Sequence, residues 1–304
     1  PRTAAGQLGL YLYIAAARLA EFVRETVPAG ADGGAAGFLA GYEGELTRRM
    51  GGAAADPLDA LEAWEATSEI ALPLDALRDE LRLDARQRLA FALAGLPEGD
   101  SRFGGLFAAL QGGPRRPTVE LVGRVAGPPE ADAWTFLRPL VEAGLVALDD
   151  AEAPRAERQL RVPGAVWDAA RGELGARPLP GVRLRPAGDS PRIGELLHEA
   201  SFVERLERLP RALRRGQTGF VVFRRAPGAD VEEIAGAVAR EMGRGLMRLD
   251  AEAARRPEAG PLLALARALP LVEYELGPGE TVDPPALAGY RGPILLAMGA
   301  EGGL

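Results

Sequence analysis

The sequence predicts a multidomain chain: an all-helical N-terminal region, a middle region combining short helices with a hairpin, and a C-terminal parallel α/β layer. Three observations carry this. Apolar residues recur at helical spacing through roughly the first hundred positions. Between 113 and 175, two short helical patterns precede two short strands. Beyond residue 192, apolar strands alternate with amphipathic helices, as in parallel sheets.

In the N-terminal region, Leu8, Leu12, Ala15, Leu19 and Phe22 are spaced to share one helix face. The Gly/Ala-rich stretch Pro28 to Gly37 interrupts the pattern, and GFLAGYEGELTRRMGG (37–52) reads as irregular. Helices resume at DPLDALEAWEATSEIA, with Leu58, Leu61 and Trp64 in phase as core residues. In LDARQRLAFALAGL, Asp84 and Gln87 have capping-box spacing and Gly95 sits near the end. Residues 1–112 are thus expected to form an all-helical domain, closed by the turn-rich QGGPRRP (111–117).

The next stretch, 113–175, reads helix (TVELVGRVAG), helix (within EADAWTFLRPLVEAG), strand (LVALDD), polar loop, strand (QLRV), short helix (PGAVWDAAR). That is the element order of a winged helix. Gly144 suits the left-handed position that stops the second helix, and Pro139 is awkward inside it. Eight arginines face ten acidic residues from Gly113 to Gly175, and Glu130, Asp132 and Glu142 outnumber Arg138 around the second helix. Phosphate contact needs basic side chains, so a protein-contacting or packing role is expected and no DNA binding.

GELGARPLPGVRLRPAGDSP is rich in proline and glycine, and 176–191 is read as a linker. After it a helix (RIGELLHEASFVERLERLPRAL) leads to four strands, FVVF, LMRLD, PLVEYEL and PILLAMG, with helices VEEIAGAVAREMG and PLLALARAL between them.

Composition narrows the chemistry. The chain has 304 residues, 47% of them hydrophobic, enough for more than one core. Its net charge of −7 disfavours a general binder of nucleic acid or anionic membrane. No apolar run approaches the roughly 18–20 residues of a membrane span, and no charged-then-apolar signal opens the chain. There is no cysteine, which removes disulfides, thiolate metal sites and thiol catalysis and fits a cytoplasmic protein. The single histidine, His198, rules out a zinc site built from several imidazoles and reads as a surface or packing residue in a helix. All 36 basic residues are arginine, so lysine Schiff-base chemistry is absent too.

The stretch GFVVFRRAPGADVEEIAGAVAREMGR (219–244) has the strand–loop–helix form of a phosphate-binding unit. Backbone N–H groups and a lysine hold the anion in such a unit. In the G-x-x-x-x-G-K-[ST] frame the first glycine becomes Arg225 and the second Asp230, with Gly228 at an intermediate position. Val231 stands for the lysine and Glu232 for the magnesium-binding hydroxyl. A charge pair about 4 Å apart near a surface is worth on the order of 4 kcal/mol before desolvation and screening. Replacing lysine by valine and adding two carboxylates therefore removes tight triphosphate binding. Arg224 and Arg225 compensate only if they fold over the loop. PLVEYELGPGE holds no adjacent acidic pair, and Glu275 at the strand end is the nearest stand-in for a magnesium- and water-directing carboxylate.

With SRFGGLFAALQGGPRRPTVEL (101–121), AWTFLRPLVEAGLVAL (133–148) and GYRGPILLAMG (289–299), these residues resemble the N-terminal part of a bacterial AAA+ ATPase group. Members carry a winged-helix region and two tandem AAA modules, the first often degenerate; some accompany contractile injection systems. The resemblance implies that 192–304 is a degenerate, partial AAA-like domain, with a sensor expected to follow the last strand. It also implies a non-catalytic part that helps build or regulate a ring: no cofactor in this chain, ATP and Mg2+ for the full-length protein, protein clients, and a homo-oligomer. The sheet lacks an obvious fifth strand and a helical lid, so the reading frame is expected to run on past Leu304 into an active module. No catalytic or metal-binding residue is carried over. Two alternatives stand beside this reading, a nucleic-acid-associated winged-helix regulator and an unrelated α/β small-molecule-binding protein.

Overall fold

The computed structural model describes residues 2–28, 34–50, 56–68, 70–224 and 230–304. The chain divides into two units, Pro1–Gly172 and Glu173–Leu304.

In the first unit, helix α1 (Ala4–Thr26) starts at Thr3, whose hydroxyl accepts the Gly6 N–H at 3.1 Å. It buries Leu8, Tyr11, Ala15 and Leu19 and leaves Leu12 and Phe22 half-buried on its flank. Helix α2 (Ala35–Met50) occupies much of the stretch expected to be irregular. Its Gly37, Gly41 and Gly44 face open space, so they cost helix propensity and no packing. Phe38 and Tyr42 offset that cost by packing edge-on against Phe103, with centroids at 5.0 and 5.1 Å. Helix α3 (Pro57–Ala66) brings a correction: it buries Leu58, Leu61 and Glu65, and Trp64 is only half-buried. A carboxylate occupies the core position, and the Arg2 guanidinium lies 5.4 Å over the Trp64 ring.

After α4 (Pro73–Asp79) comes α5 (Ala85–Ala94), with the expected capping box. The Asp84 carboxylate accepts the Gln87 N–H at 2.8 Å, and the Gln87 side chain accepts the Asp84 N–H at 3.1 Å. Gly95 ends the helix at φ −88°, outside the left-handed region; glycine fits because the Trp167 ring would lie 2.2 Å from a Cβ there. The short α6 (Leu96–Gly99) and then α7 (Arg102–Gln111) complete this helical stretch.

Next come α8 (Val119–Ala126), α9 (Ala133–Glu142), an antiparallel hairpin of β1 (Ala147–Asp149) and β2 (Gln159–Arg161), and α10 (Gly164–Arg171). The order is the expected one. Helix α9 runs through Pro139, and Gly144 takes the left-handed conformation at φ 75°. The regions read as separate domains, 1–112 and 113–175, pack as one body: α5 touches α8 and α9, and α1 touches α8 and α10. The corner between them is pinned by Gln111, which accepts the Thr118 N–H at 2.8 Å and donates to the Arg116 carbonyl at 3.0 Å.

The second unit comprises β3 (Val182–Arg185), α11 (Ala200–Arg214), β4 (Phe220–Arg224), α12 (Val231–Glu241), β5 (Gly245–Asp250), α13 (Ala259–Leu265), β6 (Ala268–Tyr274) and β7 (Ile294–Met298). The sheet order is β3-β5-β6-β7-β4. The last four strands are parallel to one another, and β3 runs antiparallel to β5. The linker expected at 176–191 is therefore corrected: V-R-L-R alternates as a strand should, and it forms the sheet's edge. The segment after β3 is packed into the unit as well. Ser190 and Ile193 are buried, and a Cβ on Gly236 of α12 would stand 2.6 Å from the Ser190 hydroxyl. The helix expected from Arg192 begins only at Ala200, after a single 3-10 turn. Helices α11 and α12 share a core with the sheet through Leu206, Leu213, Ile234, Val238, Leu271 and Leu295.

Candidate functional site

The strand–loop–helix unit is β4, residues 225–229 and α12. Arg225 and Gly228 lie outside the described residues. The N-terminus of α12 is closed from within the chain: the Asp230 carboxylate accepts the Glu233 N–H at 3.1 Å. An N-cap carboxylate takes up one of the N–H donors, and offsets the positive end of the helix dipole, that an anion would otherwise use.

Val231, at the lysine position, is 6% exposed and belongs to the α11–α12 core. Its side chain is aimed into packing. Glu232, at the hydroxyl position, is held between two strands: one oxygen lies 2.8 Å from Nη2 of Arg185 on β3, the other 3.6 Å from Nη1 of Arg248 on β5. Arg248 also donates to Glu273 on β6. Glu273, then burial in the opposite sense and Glu232 further off, leave the Arg248 guanidinium with a raised pKa. The four side chains form a ladder, Arg185–Glu232–Arg248–Glu273, across three strands and the first turn of α12.

Sequence reasoning placed Glu232 at the loop and did not foresee this ladder. The signal was there in the charged Arg248 and Glu273, each set inside an otherwise apolar strand. Glu275 is exposed, one residue past the end of β6. Arg224 donates to the carbonyls of Gly299 and Glu301, both at 3.2 Å. Strand β7 lies between β4 and β6, the place from which one side chain could face both the loop and the acidic strand. It ends at Met298 and is followed by Gly299 and Ala300, with no polar side chain among them.

A second polar constellation, also missed, lies in the first unit. Gln7 donates to Glu65 at 2.7 Å and to Asp75 at 3.0 Å, and accepts the Leu74 N–H at 3.2 Å. Arg88 Nη1 meets Glu65 Oε2 at 2.5 Å, and the Tyr11 hydroxyl donates to the same oxygen at 3.3 Å. The Arg88 and Glu65 side chains are both 0% exposed. Burial holds the Tyr11 hydroxyl well above its usual pKa, so it remains a donor. Sealed from solvent, this network joins α1, α3, α4 and α5 and cannot reach a substrate. His198 is exposed, just before α11, with its ring edge-on to Phe202 at 5.1 Å.

Among the described residues, no group of three or more histidine, aspartate or glutamate side chains is placed to hold a metal ion. No described helix is long and apolar enough to cross a membrane. Comparison with protein-family models, with curated proteins and with solved structures finds no match to this chain.

Proposed function

We propose that this chain is a non-catalytic regulatory or scaffolding part of a cytoplasmic AAA+ ATPase that remodels or assembles protein complexes. The second unit is its degenerate AAA-like module, and α8 to β2 are its winged helix. The observation that carries the reading is a phosphate-loop frame whose anion-facing positions the protein fills itself. Asp230 caps the helix, Val231 is core, and Glu232 is committed to Arg185 and Arg248. ATP and Mg2+ belong to a further module of the full-length protein, and this part acts by contact with neighbouring modules and protein clients.

The charges of the α8–β2 region support protein contact over DNA contact. Arg116 pairs with Glu98, Arg138 with Glu142 and Arg161 with Asp149, and Arg155 stacks over Trp134 at 4.6 Å. Acidic side chains outnumber arginines across this region. A titration with duplex DNA at low salt is expected to show no binding. The enzymatic side is tested by ATP hydrolysis with magnesium: the chain is expected to release no phosphate above the buffer rate. Turnover that disappears in Glu275→Gln would overturn the reading.

A further inference from the structure

At the carboxyl ends of β5 and β6 the second unit has an open pocket of about 560 Å3. One wall is the strap Arg177-Pro178-Leu179-Pro180, which folds back so that the Leu184 N–H reaches the Ala176 carbonyl at 2.8 Å. Arg183, Arg248, Asp250 and Glu273 also line the pocket.

Arg183 and Arg248 are direct cross-strand partners on β3 and β5. Like charges so placed repel unless each is countered. Arg248 is countered by Glu232 and Glu273. Arg183 is not: among the described residues neither it nor Arg177 has a hydrogen-bond or ion-pair partner, and both line the pocket. Two guanidinium groups facing one cavity present the planar donor geometry that carboxylates and phosphates accept. Asp250 also lines the pocket, its carboxylate close against Gly181. One of its oxygens accepts the Ala253 N–H at 2.7 Å, and its remaining lone pairs can take a donor from a ligand.

We propose that this pocket binds a small molecule bearing an oxyanion, a carboxylate or a phosphate, through Arg177 and Arg183, with Asp250 favouring ligands that carry a hydroxyl or amino donor beside the anion. Its described lining residues fall at 177–183, 248, 250 and 273, and the proposal does not rest on the AAA reading.

The test is calorimetric titration of the intact chain, at low chloride, with inorganic phosphate and separately with L-glutamate. Saturable binding by at least one probe is expected, and which probe binds identifies the anion. The double variant R177Q/R183Q should weaken that binding at least tenfold, and R138Q in the first unit should leave it unchanged. Both pocket arginines are exposed and have no partner among the described residues, so the variants should keep the wild-type circular dichroism spectrum. If neither probe saturates, or if the double variant binds as the wild type does, the site does not exist.

Discussion

At the residue scale, the Arg88–Glu65 pair shows what a buried charge does for this fold. Two side chains with no exposed surface hold α3 to α5; Gln7, Tyr11 and Asp75 extend the network, Glu62 takes a second Arg88 nitrogen at 3.3 Å, and Arg88 Nε is left without a hydrogen-bond partner among the described residues. Removing one partner strands the other's charge in the core, which costs about 3–5 kcal/mol, whereas replacing both with apolar residues is often close to neutral. R88M is therefore expected to lose about that much stability in urea unfolding, and E65L/R88M to regain part of it, since Tyr11 and Gln7 also lose an acceptor. A loss below about 1 kcal/mol for R88M would contradict the role given to the pair.

Tyr42 gives a pH signature in the same unit. Burial and its 2.7 Å hydrogen bond to Asp100 push its pKa up to about 12. The neutral phenol is thus favoured by folding. Its contribution is complete below the unfolded value near 10 and is lost as pH rises from there to about 12. Y42F should flatten the alkaline limb of a stability–pH curve across that window; an unchanged limb would assign it to other groups.

At the element scale, alternation and capping were legible in the sequence and interior chemistry was not. The Asp84–Gln87 box, the stop at Gly144 and strands β4 to β7 follow from local pattern, because their causes lie within a few residues. Helix α2 did not, because three glycines read as a loop while the Phe38–Tyr42–Phe103 contacts that sustain it join distant segments. Glu65 and Arg88 were invisible for the same reason: a charge at a core phase is tolerated only through a partner elsewhere in the chain. Strand β3 was hidden by its neighbouring prolines and glycines.

Two variants test the elements of the second unit. D230A removes the cap of α12 and should cost about 1 kcal/mol. G236A drives a methyl against the Ser190 hydroxyl and should cost about 1–3 kcal/mol, with most of it recovered in S190G/G236A. If G236A is neutral, the 187–195 segment does not pack on α12 as described.

At the scale of the whole molecule, two units emerge where four segments were expected, because the regions 1–112 and 113–172 share packing and the supposed linker supplies an edge strand. The functional proposal depends on a feature of the second unit alone. Asp230, Val231 and Glu232, the positions aligned with the phosphate-loop frame, are taken up by a helix cap, core packing and an ion pair within the unit. Those substitutions were readable in the sequence. That Val231 turns into the core and Glu232 across to β3 and β5 was not, since both depend on where α12 settles on the sheet.

The most direct measurement is calorimetric titration of ATP and ADP, with magnesium, into the wild-type chain and into R177Q/R183Q, so that a phosphate captured by the β5–β6 pocket is told apart from one held at the loop. No nucleotide heat is expected at high micromolar concentration in the double variant. Micromolar binding that survives in R177Q/R183Q would mean the loop still holds nucleotide, and would contradict the claim that the protein has closed that site with its own side chains.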